Sequence, residues 1–212
     1  MENVDVFWSF RSPYSYLATP EMLELKEKYA VELSLRVVFP IAVRSPDVLF
    51  SDDNKHRVKY ILLDWERRAE MMGLPHKWPS PDPIVMDLAT MKISEDQPYI
   101  YRLSYLGVEA QRRGRGIEFA AAVSHMIFGG TANWNEGDHL AKATAHAGLD
   151  LDSMESAIVH SDHQAEIENN QQLLEQAGHW GVPTLEFAGE PFFGQDRIAT
   201  LRWRLDQLGL RK

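Results

Sequence analysis

Ser12-Pro13-Tyr14-Ser15 lies between a short apolar stretch and a helical one, and its residue types suit two roles. A serine followed by proline is a natural helix N-cap with proline at the first helical position. The same geometry favours an anion, because unpaired N–H groups and the positive end of the helix dipole attract negative charge. A thiol, with a solution pKa of about 8.5, loses its proton more readily there, and a serine hydroxyl can donate a hydrogen bond to the thiolate. Gly181-Val182-Pro183-Thr184 is the second candidate. Proline opening a strand is tolerated on geometric grounds alone. A cis Val182–Pro183 bond is the sharper expectation, and it would present the Val182 N–H and C=O to a peptide-like ligand, as an added strand does. Phe193-Gly194-Gln195-Asp196-Arg197 is the third. Asp196 near a helix start is an ordinary stabilising acid. Its functional alternative is a second helix N-terminus facing a carboxylate, with Asp196 accepting from an ammonium group. One small zwitterion fits that pair.

The elements that must position these segments form a split α/β pattern. Residues 4–10 predict a strand, residues 16–29 a helix, and residues 31–39 a strand whose Val31, Leu33, Leu35 and Val37 share one face. Helices are expected at 56–72, 97–113, 116–128, 137–147, 151–158 and 162–177, with no strand-like alternation of useful length between 45 and 177. At the end, residues 184–187 and 191–193 flank a turn at Ala188-Gly189-Glu190, which predicts a hairpin. Ile198, Leu201, Leu205 and Leu208 then recur at helical spacing, with Trp203 off the stripe. One α/β domain made of residues 1–44 and 178–212, interrupted by a helical domain over 45–177, accommodates this order.

Composition narrows the chemistry. The chain has 212 residues and no cysteine, so disulfides, thiolate metal sites and a cysteine nucleophile are excluded, and any thiol must come with a ligand. A net charge of −9 argues against nucleic-acid binding. No apolar run is long enough for a membrane span, and the acidic start lacks a signal peptide's features, so a cytoplasmic protein is expected. His160 and His163 stand at metal-ligand spacing but without a third ligand, and a solvated helix start capped by Ser161 or Asp162 is the better expectation. His125, beside Met126 and Phe128, predicts a core histidine. The basic run Gln111-Arg112-Arg113-Gly114-Arg115-Gly116 predicts a solvated turn between helices.

Asp5-Val6-Phe7-Trp8-Ser9-Phe10-Arg11-Ser12-Pro13-Tyr14-Ser15-Tyr16-Leu17-Ala18 resembles the opening of the 2-hydroxychromene-2-carboxylate isomerases, relatives of kappa-class glutathione transferases within the DsbA-like thioredoxin superfamily. The segments at 181–184 and 193–197 resemble their closing motifs. Tyr60, Asp64, Arg67, Ala69, Gly73 and Pro75 resemble their first inserted helix and the loop after it. The resemblance implies an α/β, thioredoxin-like fold with an inserted all-helical domain. It puts Ser12 and Ser15 where disulfide oxidoreductases keep the two cysteines of Cys-x-x-Cys. It implies glutathione as the source of sulfur, with Ser12 holding the thiolate beside Pro13, Val182 pairing with the cysteinyl backbone, and Pro183 cis. Gln195 and Asp196 would take the γ-glutamyl end. Arg57 stands where the family has a lysine, Lys59 is close enough to compete, and Asn54 lies near. Ser9 and Arg11 depart from the family pattern. The implied reaction is isomerisation of an aromatic-derived enone or hemiketal by reversible thiolate addition, in which Trp8, Tyr60, Trp65 or Trp134 could line the substrate cavity, although core packing is the commoner fate of each. A kappa-type transferase, which would accumulate a conjugate, a thiol-ligand binding protein without catalysis, and an enzyme that uses the cavity with no role for glutathione are the alternatives. The resemblance also allows a homodimer.

Overall fold

The computed structural model describes residues 2–45, 55–87, 90, 92–160 and 162–212, with Lys55 described by its backbone alone. Alternation of buried and exposed residues makes β2 (Val31–Val37) a strand with one face inward. It pairs in parallel with β1 (Glu2–Trp8), from Glu2 opposite Val31 to Trp8 opposite Val37. A parallel pair needs a crossover, and α1 (Pro13–Lys28) supplies it. Pro20 lies inside that helix and cannot donate to the Tyr16 carbonyl. The Thr19 hydroxyl donates to that oxygen instead, at 2.8 Å.

The hairpin at the end of the chain completes the sheet. β5 (Thr184–Phe187) runs antiparallel to β1 and pairs with β6 (Glu190–Phe193), giving the order β2-β1-β5-β6. Its turn is Ala188-Gly189, with φ of 52° and 84°, the two-residue turn whose twist matches paired strands. Glu190, expected in the turn, opens β6. A single 3₁₀ turn (Gln195–Arg197) leads into the last helix (Ile198–Gln207). The fold class is the expected one.

Between these halves come a short helix α2 (Ile41–Arg44), then α3 (Lys55–Met72), α4 (Ile100–Arg112), α5 (Gly116–Phe128), α6 (His139–His146), α7 (Leu151–Ile158) and α8 (His163–Gln176). The expectation of no strands here needs correction. Met86–Asp87 and Lys92–Ile93 form a small antiparallel pair, and arms of two residues are too short to show a period of two. The basic turn after α4 is more tied down than a solvated turn: Arg113 pairs with Glu109 at 2.7 Å, and Arg115 Nε donates to the Ala147 carbonyl at 2.8 Å.

The outer edge of β2 is closed by side chains of the inserted helices. The Leu35 N–H donates to Gln111 Oε1 (2.9 Å), Asn170 Nδ2 donates to the Val37 carbonyl (3.1 Å), and the Phe39 N–H donates to Gln171 Oε1 (3.2 Å). An exposed edge is thereby capped and the helices are fastened to the sheet. Core packing runs across the expected 44/45 and 177/178 boundaries, since Val37, Leu106, Phe119 and Leu185 share one buried cluster.

Gly107 of α4 is where backbone meets sheet most closely. A β-carbon there would lie 2.6 Å from the Phe10 ring and 2.9 Å from Val37 Cγ2. Gly107→Ala gains about 1 kcal/mol of helix propensity but incurs about 1–3 kcal/mol of overpacking. Three sub-3.0 Å contacts, two to the Phe10 ring and one to Val37, decide the sign. Chemical denaturation should show a net loss of about 1–2 kcal/mol, and an alanine variant as stable as the parent would refute the close approach.

Candidate functional site

Ser12 is the N-cap of α1, in extended conformation, with Pro13 at the first helical position. Its Oγ accepts from the Ser15 N–H at 3.1 Å, satisfying one of the donors that a helix start leaves unpaired. Its hydroxyl also donates to the Val182 carbonyl at 3.3 Å. The Val182–Pro183 bond is cis. The Gly194 N–H donates to the Pro183 carbonyl at 2.9 Å, and Thr184 Oγ1 donates to the Gly181 carbonyl at 2.7 Å. The corner at 181–184 is therefore tied to the beginning of α1 on one side and to the end of β6 on the other. Among the described residues no hydrogen bond engages the Val182 N–H. Ser15 is fully buried, and among the described residues its Oγ has no partner.

This corner opens on a cleft of about 890 Å³, lined by Ser12, Pro13, Tyr14, Val182 and Phe193, by the Trp78–Asp82 loop, and by α2 and α3 residues. Its volume suits a small organic ligand. One wall is a stacked column. The Phe193 and His179 ring centroids are 3.9 Å apart, His179 and Trp180 5.5 Å apart, and the Arg57 guanidinium sits 4.1 Å over the Trp180 ring. Gly181 lets the column close, because a β-carbon would lie 2.5 Å from the Phe193 ring. His179 Nδ1 accepts from the Gly181 N–H at 2.9 Å. Burial foremost, and the Arg57 charge with it, hold His179 below its usual pKa, so it is neutral with its proton on Nε2.

Tyr14 and Tyr60, which also line the cleft, belong to an electrostatic network. Tyr14 Oη donates to Asp64 Oδ2 at 2.8 Å, and Tyr60 Oη donates to Asp64 Oδ1 at 3.4 Å. Arg67 donates to the same Oδ1 from Nε at 2.9 Å and from Nη2 at 2.7 Å. Burial, and then the hydrogen bond to Asp64, push the Tyr14 phenol up, so it is a neutral donor at physiological pH. Burial pushes Asp64 upward, but the hydrogen bonds from Tyr14 and Arg67 outweigh it and hold the carboxyl below its usual range. Arg11, next to Ser12, forms a two-pronged pair with Asp82 at 2.9 and 3.0 Å, and its guanidinium lies 5.5 Å from the Trp78 ring centroid.

Ser12, Pro13, Arg57 and Val182 thus line one cleft. Lys59 is exposed and is not on its wall. Asn54 lies outside the described residues. Gln195 is buried with Oε1 accepting from Arg68 Nη2 at 2.8 Å, and Asp196 is exposed and paired with Arg197 at 2.9 Å. Neither lines the cleft, although both follow directly on Gly194. Of the four aromatic candidates Tyr60 lines the cleft, while Trp8, Trp65 and Trp134 are core. His125 is exposed rather than core, because its apolar chain neighbours project from other faces of the helix. His163 is buried rather than solvated, with Nε2 3.1 Å from Glu109 Oε2. Asp162 occupies the cap position without a side-chain cap, and Ser161 lies outside the described residues. Among the described residues no cluster of three histidine or acidic side chains could hold a metal, and no helix is long and apolar enough to cross a membrane. Arg44, Trp180 and the Arg11–Asp82 pair went unidentified in the sequence, since none belongs to a local motif.

Comparison with known proteins agrees with this fold. A family model described as a DSBA-like thioredoxin domain matches residues 3–206. 2-Hydroxychromene-2-carboxylate isomerase of Pseudomonas putida is 26% identical over 218 residues, spanning 97% of this chain and 95% of its own. The protein of the same name from Sphingobium xenophagum is 21% identical over 203 residues, 93% and 94% of the two chains. A solved 2-hydroxychromene-2-carboxylate isomerase superposes with a TM-score of 0.69 at 18% identity, covering 97% of this chain and 95% of that one. The cytosolic disulfide reductase DsbM from Pseudomonas aeruginosa, solved with GSH, superposes with a TM-score of 0.60 at 15% identity, covering 96% and 99%.

The Asp64 network has an acid signature. Because its folded-state pKa is depressed, the stability it carries is complete above the unfolded value of about 3.9 and is lost as pH falls through the lower folded value. Asp64→Asn should flatten that acid limb in denaturation measured across pH; an unaltered limb would show that the tyrosine and arginine bonds contribute nothing.

Proposed function

The chain belongs to the DsbA-like thioredoxin domain family, and on that premise we propose that it is a glutathione-dependent isomerase of the 2-hydroxychromene-2-carboxylate isomerase type. The observation that carries the proposal is a serine hydroxyl at a helix N-terminus, 3.3 Å from the Val182 carbonyl, opening on a cleft of about 890 Å³ in a chain without cysteine. Relatives spanning nearly the whole chain bear that isomerase name. The same fold accommodates GSH in the disulfide reductase DsbM. Without a thiol of its own, the chain cannot exchange disulfides.

Glutathione, when bound, supplies a thiolate that adds reversibly to an activated double bond and departs after rotation, with no net redox change. Ser12 turns its hydroxyl from the Val182 carbonyl toward the sulfur, a cheap exchange because a 3.3 Å hydrogen bond is long. The helix start favours the anion through its dipole. Val182 offers its free N–H, and its carbonyl once Ser12 has turned, to a peptide-like backbone. Arg57, already on the cleft wall, holds a ligand carboxylate in preference to Lys59. Gln195 and Asp196, next to the proline corner, take the γ-glutamyl end, with Asp196 exchanging Arg197 for an ammonium group. Tyr14 stays protonated and bound to Asp64, so it positions the helix start and does not act as a base.

Ser12→Gly separates folding from chemistry. Glycine at an N-cap lowers stability by only a few tenths of a kcal/mol, about what capping data give. Loss of the hydroxyl should lower turnover by about 10²-fold, as loss of a single preorganised donor does. Isothermal calorimetry should detect glutathione binding to the wild type, and free glutathione should be recovered after turnover. Full activity in the variant, or glutathione consumed as a conjugate, would contradict the proposal.

A further inference from the structure

The cleft wall carries the guanidinium groups of Arg11, Arg44 and Arg57 and the carboxylates of Asp82 and Glu66. Arg11 and Asp82 neutralise one another. Among the described residues two cations therefore face one exposed carboxylate, in a molecule whose net charge is −9. Such a local reversal of sign selects for anionic ligands. Arg57 meets the first anion, the ligand carboxylate already assigned to it. Arg44 remains.

Arg44 is held without being neutralised. Its Nε donates to the Phe39 carbonyl at 2.7 Å and its Nη2 to the Trp180 carbonyl at 2.8 Å. No carboxylate lies within 4.0 Å of it among the described residues, and Glu175 acts on it only from farther away. The two carbonyls occupy the Nε–Nη2 edge of the guanidinium. Among the described residues nothing pairs with the Nη1–Nη2 edge, and two parallel N–H groups there match a carboxylate. Trp180, which fixes Arg44 through its carbonyl and carries Arg57 on its ring, belongs with Phe193 to the aromatic wall. An apolar body against that wall would leave its acid group at Arg44.

We infer that Arg44 is the specificity-determining residue that receives the carboxylate of the second substrate, a planar unsaturated carboxylic acid. The inference rests on the isomerase reading for the existence of a second substrate, but its test does not need glutathione. Trans-cinnamate and its neutral counterpart cinnamamide serve as probes, with binding to the intact chain measured by calorimetry. The wild type binds cinnamate more tightly than cinnamamide. Arg44→Gln loses about tenfold to a hundredfold in cinnamate affinity, the range for a hydrogen bond to a charged group, and keeps its cinnamamide affinity. Arg44→Lys, which retains charge without the fork, falls between.

Equal wild-type affinity for the two probes, or binding of neither, overturns the assignment without recourse to any variant. Parallel loss of both probes in Arg44→Gln reduces Arg44 to a tie between α2 and the proline corner and overturns it too. So does a loss in Arg57→Gln that Arg44→Gln does not show. Absence of glutathione binding with the Arg44 pattern intact would sink the isomerase reading and leave the carboxylate receptor standing.

Discussion

A helix that begins at the end of a strand leaves several N–H groups without partners, and something must meet them. Here Ser12 meets one with its own Oγ and spends its hydroxyl proton on the Val182 carbonyl, a residue 170 positions away. That single contact joins the first crossover of the sheet to the corner before its last hairpin. The parallel β1–β2 pair sets where α1 starts, the antiparallel β1–β5 pair sets where residue 182 falls, and the hydroxyl lies where the two meet. Moving either strand by one residue would separate the groups and reverse the faces of their neighbours.

Around this junction the molecule arranges charge with economy. Its surface is acidic, yet the cleft retains positive charge because, among the described residues, Arg57 and Arg44 are held by an aromatic ring and by backbone carbonyls rather than by carboxylates. Two of the carboxylates nearby are matched, Asp82 by Arg11 and Asp64 by Arg67 and two phenols, and Glu66 is left exposed to solvent. An entering anion thus meets cations whose orientation is fixed and whose charge is not yet spent.

Much of the fold was legible in the chain. Strand alternation located β2, turn chemistry located the closing hairpin, and the Ser12-Pro13 pair located the start of α1 to the residue. Local pattern served less well where the decisive partner is distant. His163 looks like a solvated helix start until Glu109 is brought against it from α4. His125 looks buried by its sequence neighbours, which point elsewhere on the helix. Arg44 carries no local signal, since one of its two carbonyl partners is 136 residues off. Gln195 and Asp196 were placed next to the corner by their motif, but only coordinates show Arg68 and Arg197 already engaging them.

The central claim is that the α1 start, with Ser12 at its cap, lowers the energy of a sulfur anion that the chain does not itself contain. Ultraviolet thiolate absorbance of glutathione bound to the protein, followed as a function of pH, measures this most directly. A bound thiol ionising well below its solution value, and shifting back toward it in Ser12→Ala, is the predicted result. A bound thiol that titrates as it does free in water, or a shift that survives removal of the hydroxyl, would contradict it.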